Sequence, residues 1–152
     1  MSTDVAGLLV EQTADAIIYA DREGRIRIWN AAAEALFGFP RTQAIGQSLD
    51  LIIPERLRAA HWEGFHRAVA SGRTRLGGRA VITRSVNAAG ATIYVEMSFA
   101  LVSDERGEVL GSVAVARDAT QRREAERQLQ QRIRTLEEAP VDAASKTGRP
   151  SA

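Results

Sequence analysis

The spacing of apolar residues changes along this chain, and each change marks an element. Two short runs rich in β-branched and aromatic residues, Ile17-Ile-Tyr-Ala20 and Arg25-Ile-Arg-Ile-Trp29, flank Asp21-Arg-Glu-Gly24. Asp opens a tight turn and Gly supplies a positive φ, so this stretch predicts a β-hairpin. Alternation along its second arm predicts that Ile26, Ile28 and Asn30 point one way and that Arg25, Arg27 and Trp29 point the other. Asn30 is placed to cap a short helix in which Ala33, Leu36 and Phe37 share one side, and Gly38 ends it.

Upstream, residues 5–16 predict a short opening helix carrying Leu8 and Leu9. Downstream, Pro40-Arg-Thr-Gln-Ala-Ile-Gly46 reads as one or two helical turns, and Leu49 to Ile53 is an apolar run stopped by Pro54. A helix starts at Pro54, with Leu57, His61, Phe65 and Val69 recurring every fourth position; Ser71-Gly72 closes it. From Leu76 onward the period becomes two. Strands are predicted over 81–86, 92–102 and 109–117, joined by turns at Asn87-Ala-Ala-Gly90 and Ser103-Asp-Glu-Arg-Gly107. Two strands at the front, three at the back and helices between them predict an α+β fold: a five-stranded antiparallel sheet with helices on one face. Asp118-Ala-Thr120 then caps a long C-terminal helix over 121–138, densely charged, in which Leu129, Ile133 and Leu136 are spaced four then three. With so thin a seam it reads as a solvated tail helix or, the reading favoured here, as a dimerising or signal-transmitting coiled-coil helix paired with its copy. Residues 139–152, small and polar with two prolines, are expected to be disordered.

The hairpin and short helix, Asp21-Arg-Glu-Gly-Arg-Ile-Arg-Ile-Trp-Asn-Ala-Ala-Ala-Glu-Ala-Leu-Phe-Gly-Phe39, resemble the opening of a PAS domain. Ala44-Ile-Gly-Gln-Ser-Leu-Asp-Leu-Ile-Ile-Pro54 resembles the segment that follows. The similarity resumes at Asn87-Ala-Ala-Gly-Ala-Thr92. It closes with Arg117-Asp-Ala-Thr-Gln-Arg122, similar to the Asp-Ile-Thr sequence that joins such domains to an output helix. It covers roughly residues 7 to 121. The resulting division is an N-terminal tail at 1–6, a PAS-like domain at 7–117, a linker helix at 118–138 and a tail at 139–152.

A length of 152 residues suits one domain, and 45% hydrophobic with 26% charged residues is an ordinary globular composition. The net charge of +1 gives no global pull toward nucleic acid or an anionic membrane. No cysteine is present, which removes disulfides, thiolate metal sites and thiol catalysis and is compatible with a reducing compartment. With neither a signal-peptide pattern nor a membrane-length apolar run, the chain is expected to be cytoplasmic.

Catalytic patterns are missing: there is no phosphate-cradling glycine loop, His-Glu-x-x-His or paired-carboxylate arrangement, so the chain is expected not to be an enzyme. His61 stands out because it interrupts an apolar helix face, where an imidazole serves as a packed core residue or as a metal ligand, including to haem iron. The resemblance sharpens this. In haem-binding PAS domains of oxygen sensors the proximal histidine occupies the same Pro-x-x-x-Arg-x-x-His context as Pro54-Glu-Arg-Leu-Arg-Ala-Ala-His61. It implies a pocket of His61, Leu57, Phe65, Leu76, Arg79, Val81, Met97 and Phe99, with His61 as iron ligand, Arg79 on the distal strand and Met97 and Phe99 roofing it. Two positions depart from that pattern. Val81 stands where the family has its distal arginine, roughly 7 Å along the strand from Arg79, and Gly64 stands where an aromatic residue is usual.

His66, five residues from His61, falls on another helix face and does not make a two-histidine site with it. Light-oxygen-voltage photochemistry needs a cysteine this chain lacks, while a noncovalent flavin pocket would be bordered by Trp29 and Asn30. Arg73-Thr-Arg75 and Arg79 form a basic cluster without the interleaved aromatics of a nucleic-acid site. The expected function is a PAS sensory module that binds a small ligand and signals through its C-terminal helix, as a homodimer through that helix and the opening helix or toward a signalling partner. The alternatives are a haem gas or redox sensor and a ligand-free dimerisation scaffold.

Overall fold

The front hairpin forms where the sequence puts its turn. In the computed structural model, which describes residues 2–139, β1 (Ala16–Asp21) and β2 (Ile26–Trp29) pair antiparallel. Asp21 Oδ1 accepts from the N–H groups of Glu23 and Arg25 across the turn, and Gly24 takes the positive φ of 79° that closes it. The arm does not alternate as expected. Tyr19 faces Ile28 but Ala20 faces Ile26, so Arg27 is an extra residue in a β-bulge. The bulge turns Ile26 and Trp29 together into the core and leaves Ile28 exposed, which reverses the predicted facing of Ile28 and Trp29.

Helix α1 (Val5–Gln12) is shorter than expected, because Thr13 takes an extended conformation and Ala16 already belongs to β1. Helix α2 (Ala31–Phe37) follows β2, capped by Asn30 and ended by Gly38 at φ 79°. Asn30 is fully buried, and both ends of its amide are used. Oδ1 accepts from Ile17 N–H (2.9 Å) and Ala33 N–H (3.0 Å), while Nδ2 donates to the carbonyls of Val10 (2.7 Å) and Asp15 (3.0 Å). One side chain thus ties α1, β1 and α2 together. Helix α3 (Arg41–Ala44) follows, then two 3-10 turns, Leu49–Ile52 and Glu55–Leu57, in place of the simple apolar run and immediate helix start. Helix α4 (Arg58–Ser71) ends at Gly72, φ 71°.

The back of the sheet is β3 (Val81–Val86), β4 (Thr92–Ser103) and β5 (Val109–Asp118), and the order across the sheet is β2-β1-β5-β4-β3, antiparallel throughout. The core sits on one face, where Ile18, Ile26, Trp29, Phe37, Val95, Met97, Ala114 and Ala116 pack together. Trp29 stacks at a tilt 5.4 Å from Phe37, and its Nε1 donates to the Phe39 carbonyl, so its polar edge is satisfied inside the core. The strand ends and helix faces therefore agree with the α+β expectation.

The chain divides into two units between Thr120 and Gln121. In the second, α5 (Thr120–Glu138) exposes Leu129, Ile133 and Leu136, and Arg123–Glu126 (3.7 Å) and Arg127–Glu124 (4.0 Å) pair along it. Apart from Ala139, the segment expected to be disordered lies outside the described residues. Among the described residues, no helix is long and apolar enough to cross a membrane.

Candidate functional site

Helix α4 carries small residues at Ala60, Gly64 and Ala68, one turn apart, and none of its residues is fully buried. Side chains this small leave the space between that stripe and the sheet unfilled, and a Cβ built on Gly64 would meet nothing within 4 Å. The space left is a cavity of about 280 Å³, walled by His61 and Phe65 of α4, Thr74, Arg75 and Leu76 of the following connection, Phe99 and Leu101 of β4, and Ser112 of β5. Its interior is predominantly apolar.

Helix α4 is held at its N-terminal half by Asp50. Trp62 Nε1 donates to Asp50 Oδ1 at 2.8 Å, and Arg58 ion-pairs with the same carboxylate at 3.9 Å while its Nε donates to the Ile53 carbonyl. The Trp62 indole also rests on Gly24, where a Cβ would collide with the ring. The front turn and the cavity helix are thereby braced against each other. His61 sits next in sequence, its ring edge-on to Trp62 at 4.9 Å and 6.0 Å from Phe65. Its Nδ1 is buried with no hydrogen-bond partner. Burial pushes the His61 imidazole below its ordinary value of 6.5; the Asp50 carboxylate opposes that shift and His66 adds to it.

Of the residues expected to form the pocket, His61, Phe65, Leu76 and Phe99 line this cavity. The other four stand elsewhere. Leu57 ends the 3-10 turn before α4, half-buried and away from the lining. Val81 and Met97 face each other across β3 and β4, and Met97 is consumed by the main core. Arg79 is exposed and turns its Nε back to the Leu76 carbonyl at 3.4 Å, because the connection preceding β3 carries it outward. It does not face His61 across a distal pocket. The residues that reading missed are the small stripe of α4, which creates the space, and Arg75 and Thr74, which edge it. The four-residue spacing of Ala60, Gly64 and Ala68 was the available signal. Trp29 and Asn30, considered as flavin neighbours, are committed to the core and to the α2 cap. Among the described residues, no three His, Cys, Asp or Glu side chains gather as a metal-binding group.

Comparison with known proteins places this arrangement. The description "PAS fold" matches residues 10–124. The oxygen sensor protein DosP of Escherichia coli is 30% identical over 111 residues, 73% of this chain and 14% of DosP. The signal transduction histidine-protein kinase AtoS of the same organism is 25% identical over 145 residues, 94% of this chain and 23% of AtoS. The chain therefore spans less than a quarter of either relative. Among solved structures, the PAS domain of a protein from Colwellia psychrerythraea superposes with a TM-score of 0.68 at 23% identity, covering 77% of this chain and 96% of that one. With the family match spanning most of the chain and the strand order β2-β1-β5-β4-β3, the chain belongs to the PAS-fold family.

Proposed function

We propose that this PAS domain is a sensory signalling module, in which a small apolar ligand occupies the cavity beneath α4 and its presence is passed along β4 to the start of α5. The observation that carries this reading is a continuity of structure. Phe99 and Leu101 of β4 wall the cavity, and at the other end of the same strand Tyr94 is hydrogen-bonded to Ala119 and Thr120, where α5 begins. A ligand that alters the packing of Phe99 acts on the strand that anchors the helix. In this reading α5 pairs with its copy through Leu129, Ile133 and Leu136 and hands the signal to a partner; the domain itself catalyses nothing. Similarity to the AtoS kinase supports a signalling role. Sedimentation of the chain and of a truncation after Arg117, each with and without a cavity ligand, tests it. Loss of self-association on truncation is expected; an unchanged sedimentation profile overturns the pairing.

A second reading makes haem the ligand, with His61 as the protein ligand of the iron, which when bound supplies a reversible site for a diatomic gas. It is supported by the place of His61 on the cavity wall, by its unpartnered Nδ1 and by similarity to DosP. The size of the cavity and the placing of Arg79 count against it. A cavity of about 280 Å³ falls just below the roughly 300–1,000 Å³ of drug-sized ligand pockets, a porphyrin is larger than most such ligands, and Arg79 is turned away. The absorption spectrum decides: a Soret band abolished by His61→Ala supports haem, and a protein that stays colourless after adding hemin rejects it.

A further inference from the structure

The mouth of the cavity carries an excess of positive charge. Thr74 and Arg75 border both this apolar interior and an adjoining, more polar depression, and Arg67, Arg73 and Glu63 line the latter. Glu63, the acidic residue of this rim, is engaged with Arg67 one helical turn away at 2.8 Å. The segment 73–79 has three arginines and no acidic residue, and among the described residues Arg73 and Arg75 form no ion pair. Gly72 ends α4 in the left-handed region, so the chain turns at once and brings Arg73 and Arg75 back over the cavity's edge. Inside, within reach of that edge, the walls are Phe65, Leu76, Phe99 and Leu101.

A rim of arginines is ordinary when it borders water on every side. Here it borders an apolar hollow, and that junction selects for a molecule with two unlike ends. We propose that the cavity takes an amphiphilic monocarboxylate, its apolar body against Phe65, Leu76 and Phe99 and its carboxylate at the mouth, held by Arg75 with Arg73 beside it. The proposal rests on the cavity-ligand reading above and names its ligand class. A guanidinium offers a planar fork that matches a carboxylate with two parallel hydrogen bonds. At the mouth the carboxylate stays partly hydrated, so it avoids the desolvation penalty of a fully buried pair. A neutral alcohol with the same body gains the same apolar burial without that bond, and an ammonium is repelled by the rim. A volume of about 280 Å³, just under the roughly 300 Å³ at which drug-sized ligand pockets begin, suits a small body such as an eight-carbon chain.

The test is a head-group series, octanoate, 1-octanol and octylammonium, titrated calorimetrically into the full chain. Octanoate is expected to bind about tenfold tighter than 1-octanol at low salt, and octylammonium weaker than either. The preference should shrink at an ionic strength of about 1 M, where the screening length is about 3 Å. Arg73→Gln combined with Arg75→Gln should abolish the preference, so that octanoate and 1-octanol bind the variant with the same affinity. If 1-octanol binds and octanoate binds no better, the carboxylate assignment fails while the cavity reading stands. If the preference survives the double substitution, the arginines are not its source and the proposal is wrong. If none of the three probes binds, the cavity reading itself fails and this one with it.

Discussion

Tyr94 and Thr120 are joined twice: the Tyr94 N–H donates to Thr120 Oγ1 at 3.1 Å, and the Thr120 hydroxyl lies 3.4 Å from the Tyr94 carbonyl, to which it donates. That carbonyl also accepts from Ala119 N–H at 2.8 Å. The first residue of α5 is therefore latched to the strand that walls the cavity. Asp118 Oδ1 accepts from Thr120 N–H at 2.9 Å and completes the latch. Thr120→Val keeps the shape and β-branching but loses both hydroxyl bonds, so it should cost about 1 kcal/mol in urea denaturation. It should also weaken any ligand-driven change in sedimentation while leaving the ligand's own affinity intact.

Asn30 is the most heavily used polar side chain in the core, with four hydrogen bonds to three elements. Asn30→Ala would leave the Ile17 and Ala33 N–H groups and two carbonyls without partners in a buried setting. The expected loss is on the order of 3 kcal/mol or more, since each unsatisfied buried group costs about 1–3 kcal/mol. Asn30→Ser should recover about 1 kcal/mol of it, because a serine oxygen still caps α2. Chemical denaturation of the three proteins measures the difference, and a serine variant no better than alanine would mean that the cap contributes little.

Elements whose signal is local were legible in the sequence. Asp21 and Gly24 fix the front turn, Asn30 and Gly38 bracket α2, and the period-two runs after Leu76 became β3, β4 and β5. The facing of Ile28 and Trp29 was not legible, because a one-residue bulge at Arg27 leaves composition untouched while exchanging the two faces. The cavity was half legible. The large residues of α4 that line it, His61 and Phe65, mark a wall, but the unfilled space lies against Ala60, Gly64 and Ala68, which a pattern of bulky apolar positions passes over. Arg79 went astray because register along a strand was extended into a connection that leaves the sheet. The role of Arg75 depends on the turn at Gly72 and on β4 opposite, which no window of local sequence contains.

Stability should depend on pH through His61. Burial lowers the imidazole's pKa in the folded chain below 6.5, the Asp50 carboxylate only partly offsetting it and the His66 imidazole reinforcing it. Below about 6.5 the unfolded chain thus binds more protons than the folded one. Stability is complete above that value, falls as the pH drops through it, and levels off once the folded imidazole is also protonated. His61→Phe should flatten this part of the profile, and at neutral pH it should be at least as stable as the parent, since it removes an unpartnered buried nitrogen. Urea midpoints at about pH 7.5 and 5.5 provide the comparison. An unchanged slope in the variant would assign the dependence to other groups.

Helix α5 offers the last test, because its own chemistry poses a problem that pairing solves. Leu129, Ile133 and Leu136 are 60%, 52% and 73% exposed, a thin apolar seam on an otherwise charged helix of 19 residues. The pairs Arg123–Glu126 and Arg127–Glu124 along it are three residues apart and solvent-accessible, which is worth only about 0.2–0.5 kcal/mol each. A helix of this length without a packed face is marginal in water, so its helicity should be tied to association. If a second copy covers the seam, ellipticity at 222 nm should rise with protein concentration in step with the sedimenting mass. Ile133→Asp, which sets a charge at the middle of the seam, should then lower both together. Helicity that stays high and independent of concentration in this variant would show that α5 stands without a partner, and the route from cavity to self-association would end at Thr120.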